Sequence, residues 1–332
     1  MKHLQSLLAA ALLAAAAAPP AAAAEPPTVE AVLGAIVALR AEIAPSARTA
    51  ETLGTQRDGH GVVIDSDGLV LTIGYLILEA DSVTVATAHG AKVPARIVAY
   101  DHATGFGLLR AEQPLGVRPM ALAESADADL GDLVLVAGAG GPDYAMQARI
   151  VSRRGFTGYW EYMLDEALFT MPPHPVFGGA ALIGADGRLL GIGSLFVNDA
   201  MGPGEFSPGN MFVPIDLLKP IFADLIADGR SAESRRPWLG LYTQEATEGL
   251  LVSRVAVDGP AQRAGILPGS LVLGIDGKPI RSQEAFYRSI WAAGAPGVTI
   301  RLTLIDPLGE PCEVDVVTGD RYDWLGIARK KD

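Results

Sequence analysis

From Gly61 onward the chain runs in short apolar bursts broken by Asp-Gly and Pro-Gly pairs. "GVVIDSDGLVLT" holds two such bursts around Ser66-Asp67-Gly68, which predicts a hairpin. "SVTVATAHGAKVPARIVAY" is a second unit of this kind, and "FGLLRAE" a third. "GDLVLVAGAG" and "QARIVSRRG" continue the meander, and "ALIGADGRLLGIGSL" repeats the strand–Asp-Gly–strand form. Many short strands at even spacing predict a mainly β chain built as antiparallel barrels or a sandwich.

Helical periodicity is rarer. In "IDLLKPIFADLIADG" the residues Leu217, Leu218, Ile221, Leu225 and Ile226 share one face, Pro220 falls in the first turn and Gly229 stands at the C-cap. Thr28 to Ile43 fits either a helix, through Val29, Val32, Leu33 and Ile36, or a buried strand, through "AIVAL". The polar stretch "RSAESRRP" follows Gly229 and reads as a linker. Beyond it lie strands "LLVSRVAV" and "SLVLGIDG", a helix in "SQEAFYRSIWAAG" opened by Ser282, and strands "VTIRLTLID" and "CEVDVV".

Composition narrows the compartment and the partners. Lys2, the apolar run Leu7–Ala18 and the small residues Ala22-Ala23-Ala24 have the form of a cleavable secretory signal over residues 1–24. That implies an exported, for instance periplasmic, chain with no stable membrane span once the signal is removed. The formal charge of −12 disfavours nucleic acid, because phosphate backbones would repel so acidic a chain. Cys312 is the only cysteine, which rules out an intrachain disulfide and a Cys/His zinc cluster. It reads as a small strand residue in "EPCEVDVV".

The order of these segments resembles the HtrA/Deg family of exported trypsin-like serine proteases that carry a PDZ domain. "GHGVVIDSDGLVLT" is similar to the family's first strand pair and "YDHATGFGLLR" to the strand that follows. "GDLVLVAGAG" and "ARIVSRRG" resemble second-barrel strands, and "NMFVPIDLLKPIFADLIADGR…RPWLGL" the passage into the PDZ domain. The resemblance implies a trypsin-like double antiparallel β-barrel followed by a smaller mixed α/β PDZ domain. On that basis residues 25–230 form the protease-fold domain, 231–236 a linker, 237–322 the PDZ domain and 323–332 a C-terminal tail. It also implies a homo-trimer assembled through an N-terminal segment, a role open to Thr28–Ile43, and no cofactor.

The family's triad needs a hydroxyl nucleophile, an imidazole to take its proton and a carboxylate to hold that imidazole's tautomer. At the corresponding positions, "LTIGYLI" places Tyr75 for the histidine and "DHATGF" places Gly105 for the aspartate. In "HPVFGGAAL" the gapless register places Gly178 at the serine and Val176 at the oxyanion-hole glycine. A one-residue slip puts Phe177 at the serine and Pro175, which has no N–H, at the oxyanion donor. Neither register supplies a hydroxyl. The resemblance therefore implies a degenerate, catalytically inactive member. Tyr75 is a poor substitute base, since a free phenol titrates near pH ~10.

In the second half the family's binding machinery is intact. Trp238-Leu239-Gly240-Leu241 matches the hydrophobic-Gly-hydrophobic loop with which PDZ domains hold a terminal carboxylate, and "DGPAQRAGILPGSLVLGIDGKPI" matches the PDZ core. Such a loop needs a glycine so that successive N–H groups turn toward the carboxylate, beside a strand edge that accepts the peptide. The helix around Phe286–Trp291 would form the other wall. The expected function is binding of peptide or protein C-termini as an adaptor, scaffold or holding chaperone. Two alternatives remain: a hydrolase with unconventional residues (Ser194 in "GIGSLF" is one hydroxyl) or a site completed by a partner, and a metal-binding module through His102 and His174. Trp324-Leu325-Gly326-Ile327 repeats the "WLGL" form and reads as a terminal strand.

Overall fold

The computed structural model describes residues 28–327. The signal expected over residues 1–24 lies outside them. Thr28–Ile43 is both of the things its sequence allowed. Thr28 caps a helix, α1 (Val29–Gly34), by accepting from the Ala31 N–H, and the chain then extends as β1 (Ile36–Ile43). After a short turn of helix, α2 (Ala50–Leu53), come β2 (Gln56–Val63), β3 (Leu69–Ile73), β4 (Ala80–Ala86), β5 (Lys92–Tyr100) and β6 (Phe106–Ala111). They close into a barrel in the order β1-β2-β3-β6-β5-β4. β3, "LVLTI", is buried on both faces, which is why it reads as an unbroken apolar run rather than an alternation. Since β1 pairs with both β2 and β4, the stretch expected to serve trimer assembly is largely consumed inside this barrel.

The second barrel is built from β7 (Leu133–Ala137), β8 (Ala145–Gly158), β9 (Tyr162–Met171), β10 (Ala181–Ile183), β11 (Leu189–Val197) and β12 (Gly209–Pro214). Its order is β10-β11-β12-β9-β8-β7; Val136, Ile150, Leu168, Leu182, Leu190 and Phe212 cluster in its interior, while Phe169 and Ile192, on the other face, join the core of the first barrel. β8 and β9 form a long hairpin whose two register shifts bend it. The helix expected from Ile215 onward is broken. Two single 3₁₀ turns, Ile215–Leu217 and Lys219–Ile221, precede α3 (Phe222–Asp228). Pro220 has no N–H to continue an earlier helix, so the regular turns begin after it. Gly229 ends α3 in the left-handed conformation expected of a C-cap, whereas Ile226, counted on the buried face, is 44% exposed.

Residues 231–236 are not a free linker. Ser231 donates through N and Oγ to Asp101 Oδ1 (3.1 and 2.6 Å), and both Ser231 and Ser234 are buried. Beyond them β13 (Leu241–Ala246), β14 (Gly249–Val255), α4 (Pro260–Arg263), β15 (Leu271–Ile275), β16 (Lys278–Pro279), α5 (Gln283–Ala292), β17 (Thr299–Ile305) and β18 (Pro311–Val317) make one sheet with helices against it. Strand order is β13-β14-β15-β17-β18, with β16 pairing β15. Ser282 caps α5 as expected, accepting from the Ala285 N–H. Cys312 lies on β18, partly buried and unpaired.

The C-terminal stretch departs from expectation. Trp324–Ile327 is not a strand: α6 (Arg321–Leu325) is a helix capped by Asp320 and closed by Gly326. Nor is it a loose tail. Tyr322 Oη donates to the Tyr100 carbonyl (2.7 Å), and Tyr322 and Leu325 pack with Leu78 and Tyr100 of the first barrel. Trp324 packs against Trp238 at a tilt, with ring centroids 4.8 Å apart.

Candidate functional site

The barrels bring the three positions of the triad pattern together at one place. Gly74 donates its N–H to the Gly105 carbonyl (2.7 Å), which sets the turn carrying Gly105 beside that carrying Tyr75. The Tyr75 hydroxyl reaches across and donates to the Ser194 carbonyl (2.8 Å). A Cβ added at Gly178 would lie only 2.9 Å from that hydroxyl. The phenol thus occupies the space a side chain at position 178 would need. Burial pushes its pKa upward, which keeps the hydroxyl protonated near neutrality and so unable to take a proton from a nucleophile. A Cβ at Gly105 would lie 2.9 Å from the Tyr162 hydroxyl, so that position too is closed by a tyrosine.

The backbone beside Gly178 is also committed. The Val176 N–H donates to His174 Nδ1 (3.2 Å), and Gly178 O accepts from the His60 N–H (2.9 Å). His174 is buried, its own N–H held by Asn210 Oδ1 (2.6 Å). An amide aimed at a side chain of its own loop is not aimed at a developing oxyanion.

His60 was not singled out by the sequence. Its Nδ1 accepts from the Ala139 N–H (3.0 Å). Burial, and secondarily the neighbouring His174, lower its pKa to about 4, so the ring is neutral near pH 7. Among the described residues no serine or threonine hydroxyl bonds an imidazole. Ser194 contributes its carbonyl to Tyr75 rather than a nucleophile.

His102 and His174 are not brought together. His102 is buried under α6, its ring nitrogens facing the Tyr100 hydroxyl (3.0 Å), the Glu161 carbonyl (3.1 Å) and the Arg321 guanidinium (3.0 Å). His174 has none of these neighbours. Among the described residues no group of three or more His, Cys, Asp or Glu is arranged to hold a metal. The segment "DHATGF" has become a structural anchor. Asp101, fully buried, accepts from Thr104 at one oxygen and from Ser231 at the other.

The second candidate site is the loop Trp238–Leu241. Gly240 has φ +79°, and this left-handed turn, which a β-carbon would strain, points three successive N–H groups to one spot. A carboxylate is already there. Glu161, at the tip of the β8–β9 hairpin, accepts from Leu239 N at Oε2 (3.1 Å), and at Oε1 from Gly240 N (2.7 Å) and Leu241 N (2.9 Å). The side chain is 1% exposed. Burial pushes its carboxyl pKa upward, against the downward pull of the three amides and of Arg321. Along the same groove the Thr243 N–H donates to the Tyr159 carbonyl (3.1 Å). From the opposite wall the Tyr287 hydroxyl of α5 donates to the Gly158 carbonyl (2.9 Å), and Met163 packs into the core of the C-terminal sheet.

Glu161 carried no signal in the sequence. It is an isolated acid in "GYWEYM", and its partner loop lies 78–80 residues further on. Its φ of +54°, unusual for a residue with a β-carbon, is likewise invisible in the sequence.

Comparison with known proteins places both regions. A trypsin-like peptidase domain matches residues 59–192 and a PDZ domain residues 237–306. The chain is 28% identical over 311 residues to the serine protease PepD of Mycobacterium tuberculosis, covering 86% of this chain and 66% of that one. It is 28% identical to a probable periplasmic DegP-like serine endoprotease of Ectopseudomonas mendocina, covering 68% and 50%. The chain thus spans about half to two thirds of the length of these relatives. In fold it is similar to the HtrA-type protease AlgW with a decapeptide (TM-score 0.52, 21% identity, 87% of this chain and 97% of that one). It is also similar to the serine endoprotease of Yersinia pestis (TM-score 0.51, 23% identity, 89% and 98%). Among the described residues no helix is long and apolar enough to cross a membrane.

Proposed function

Because the chain is a member of the HtrA/Deg family, a trypsin-like serine-protease domain followed by a PDZ domain, we propose that it has given up peptide-bond cleavage. We propose further that it works as an exported binding protein for peptide or protein C-termini. The observation that carries the reading is the contrast at the two sites. The positions of nucleophile, base and acid hold Gly178, Tyr75 and Gly105, with the phenol lodged in the nucleophile's space. The loop Trp238–Leu241 keeps three convergent amides that hold a carboxylate. A chain that retains carboxylate capture without the reagents for acyl transfer suits an adaptor, scaffold or holding chaperone. Export follows from the signal-like residues 1–24 and accords with the periplasmic naming of DegP-like relatives. A homo-trimer belongs to the same reading, assembled through surfaces other than β1, whose two edges the first barrel already uses.

Two measurements on the purified chain test it. A serine-directed fluorophosphonate should leave the protein unlabelled, and an unfolded substrate should stay uncut; labelling or cleavage would overturn the loss of catalysis. Peptides with a free, apolar C-terminus should bind, their amidated twins should not, and replacing Gly240 by a bulky residue should abolish binding. Equal binding of amidated peptides would overturn the terminus-binding half.

A further inference from the structure

The tip of the β8–β9 hairpin imitates a bound chain end. It reproduces each contact that peptide capture by strand addition requires: a carboxylate on the amides of Leu239, Gly240 and Leu241, a main-chain bond from the strand-edge amide of Thr243 to the Tyr159 carbonyl, and a bond from the α5 wall through Tyr287 to the Gly158 carbonyl. An apolar side chain, Met163, enters the core beside it. The three-residue loop between Gly158 and Tyr162 takes a left-handed residue at its last position, which Glu161 fills, but nothing in the packing of the second barrel calls for that residue to be a buried acid.

The surroundings are laid out for an anion. Arg321 donates to the Trp160 carbonyl (2.9 Å), and Arg236 lies over the Trp291 ring (3.4 Å to the centroid) with its Nε and one terminal nitrogen unpartnered. Between the two arginines and Glu161 is a cavity of about 10 Å³, room for a single water. The loop, Arg236 and Arg321 all lie outside the β8–β9 hairpin, so a second carboxylate entering along β13 would face the same donors.

We propose that Glu161 is an internal ligand of the carboxylate loop. The binding groove is closed in cis, and a partner ending in a free carboxylate binds by expelling the Gly158–Met163 segment. This rests on the terminus-binding reading above and adds its regulation: the competent groove is a minor state, so apparent affinity is lowered by the fraction of molecules in which the hairpin is out. The partner best suited is one delivered at high local concentration, or one whose upstream residues add contacts that compete with the hairpin.

The test uses the full chain and a short fluorescent peptide ending in valine with a free carboxylate, beside its amidated twin. Glu161→Gln, which keeps the side chain's shape but not its charge, should bind the free-carboxylate peptide at least tenfold more tightly than the parent, and Glu161→Ala tighter still. Hydrogen exchange on the parent keeps the proposal testable if Glu161→Ala folds poorly. Leu239–Leu241 should be protected before peptide is added and stay so afterwards, while Gly158–Met163 loses protection on binding. If the parent binds the free-carboxylate peptide as tightly as Glu161→Gln, with the hairpin's exchange unchanged, the internal-ligand proposal fails and the receptor reading stands. If neither form distinguishes the free from the amidated peptide, both fail.

Discussion

The barrel cleft and the PDZ loop are both filled from within, but by opposite means. In the cleft the occupant stands at a catalytic position itself. On the proposed reading Tyr75 stands at the position of the base, and its hydroxyl lies where a side chain at Gly178 would have to go. In the loop the receiving geometry is untouched and the occupant comes from another element, Glu161 of the β8–β9 tip. A site whose own residues are replaced is lost on any timescale. A site covered by a residue from elsewhere is recoverable, because uncovering it requires only a local opening.

The largest effect that sharpens this contrast is catalytic. Peptide hydrolysis should lie roughly 10⁶-fold below that of an intact triad, the scale on which removal of the whole constellation acts. Gly178→Ser alone should recover none of it, because the new Cβ meets the Tyr75 hydroxyl; fluorophosphonate labelling of that single variant would break the comparison on the cleft side. Next is the loop. Glu161→Ala leaves three buried amides without an acceptor and should lower unfolding stability by about 3 kcal/mol, Glu161→Gln by nearer 1. Denaturant titration of both variants checks this. Equal stability in all three proteins would mean the buried carboxylate does not hold the two halves together.

Acid should loosen the molecule on a smaller scale. His60 titrates at about 4 in the folded chain, below the ordinary value of 6.5, because burial disfavours its charge. The folded state therefore takes up fewer protons than the unfolded state across that window. The stabilisation is complete above the unfolded value and is lost as pH falls: about 2 kcal/mol by pH 5 and about 3 by pH 4. Glu161, held upward, contributes with the opposite sign, so the comparison that isolates the imidazole is parent against His60→Gln. The variant should show a shallower loss of stability between pH 7 and 5. The smallest effect is Tyr75→Phe, which removes one hydrogen bond to the Ser194 carbonyl and should cost about 1 kcal/mol in thermal or denaturant unfolding.

Much of the architecture was legible because its signals are local. The bursts around Ser66-Asp67-Gly68, the cap at Ser282 and the stop at Gly229 each lie within a few residues of the element they define. The misreadings came where distant packing decides. Trp324–Ile327 has a strand's composition, but Asp320 caps it and Tyr322 docks on Tyr100, 222 residues away, so it is helical. "RSAESRRP" has a linker's composition, but buried Asp101 pins it to the barrel through a contact 130 residues long.

The candidate sites divide along the same line. Residue identity at fixed offsets was enough to propose which groups stand at the triad positions and to read that the loop at Gly240 turns successive amides one way. What fills these places follows from packing between distant segments. The approach of Tyr75 to Gly178 and of Glu161 to Leu239–Leu241 depends on how barrels, hairpin and C-terminal sheet pack. Such contacts leave no periodicity, spacing or composition along the chain.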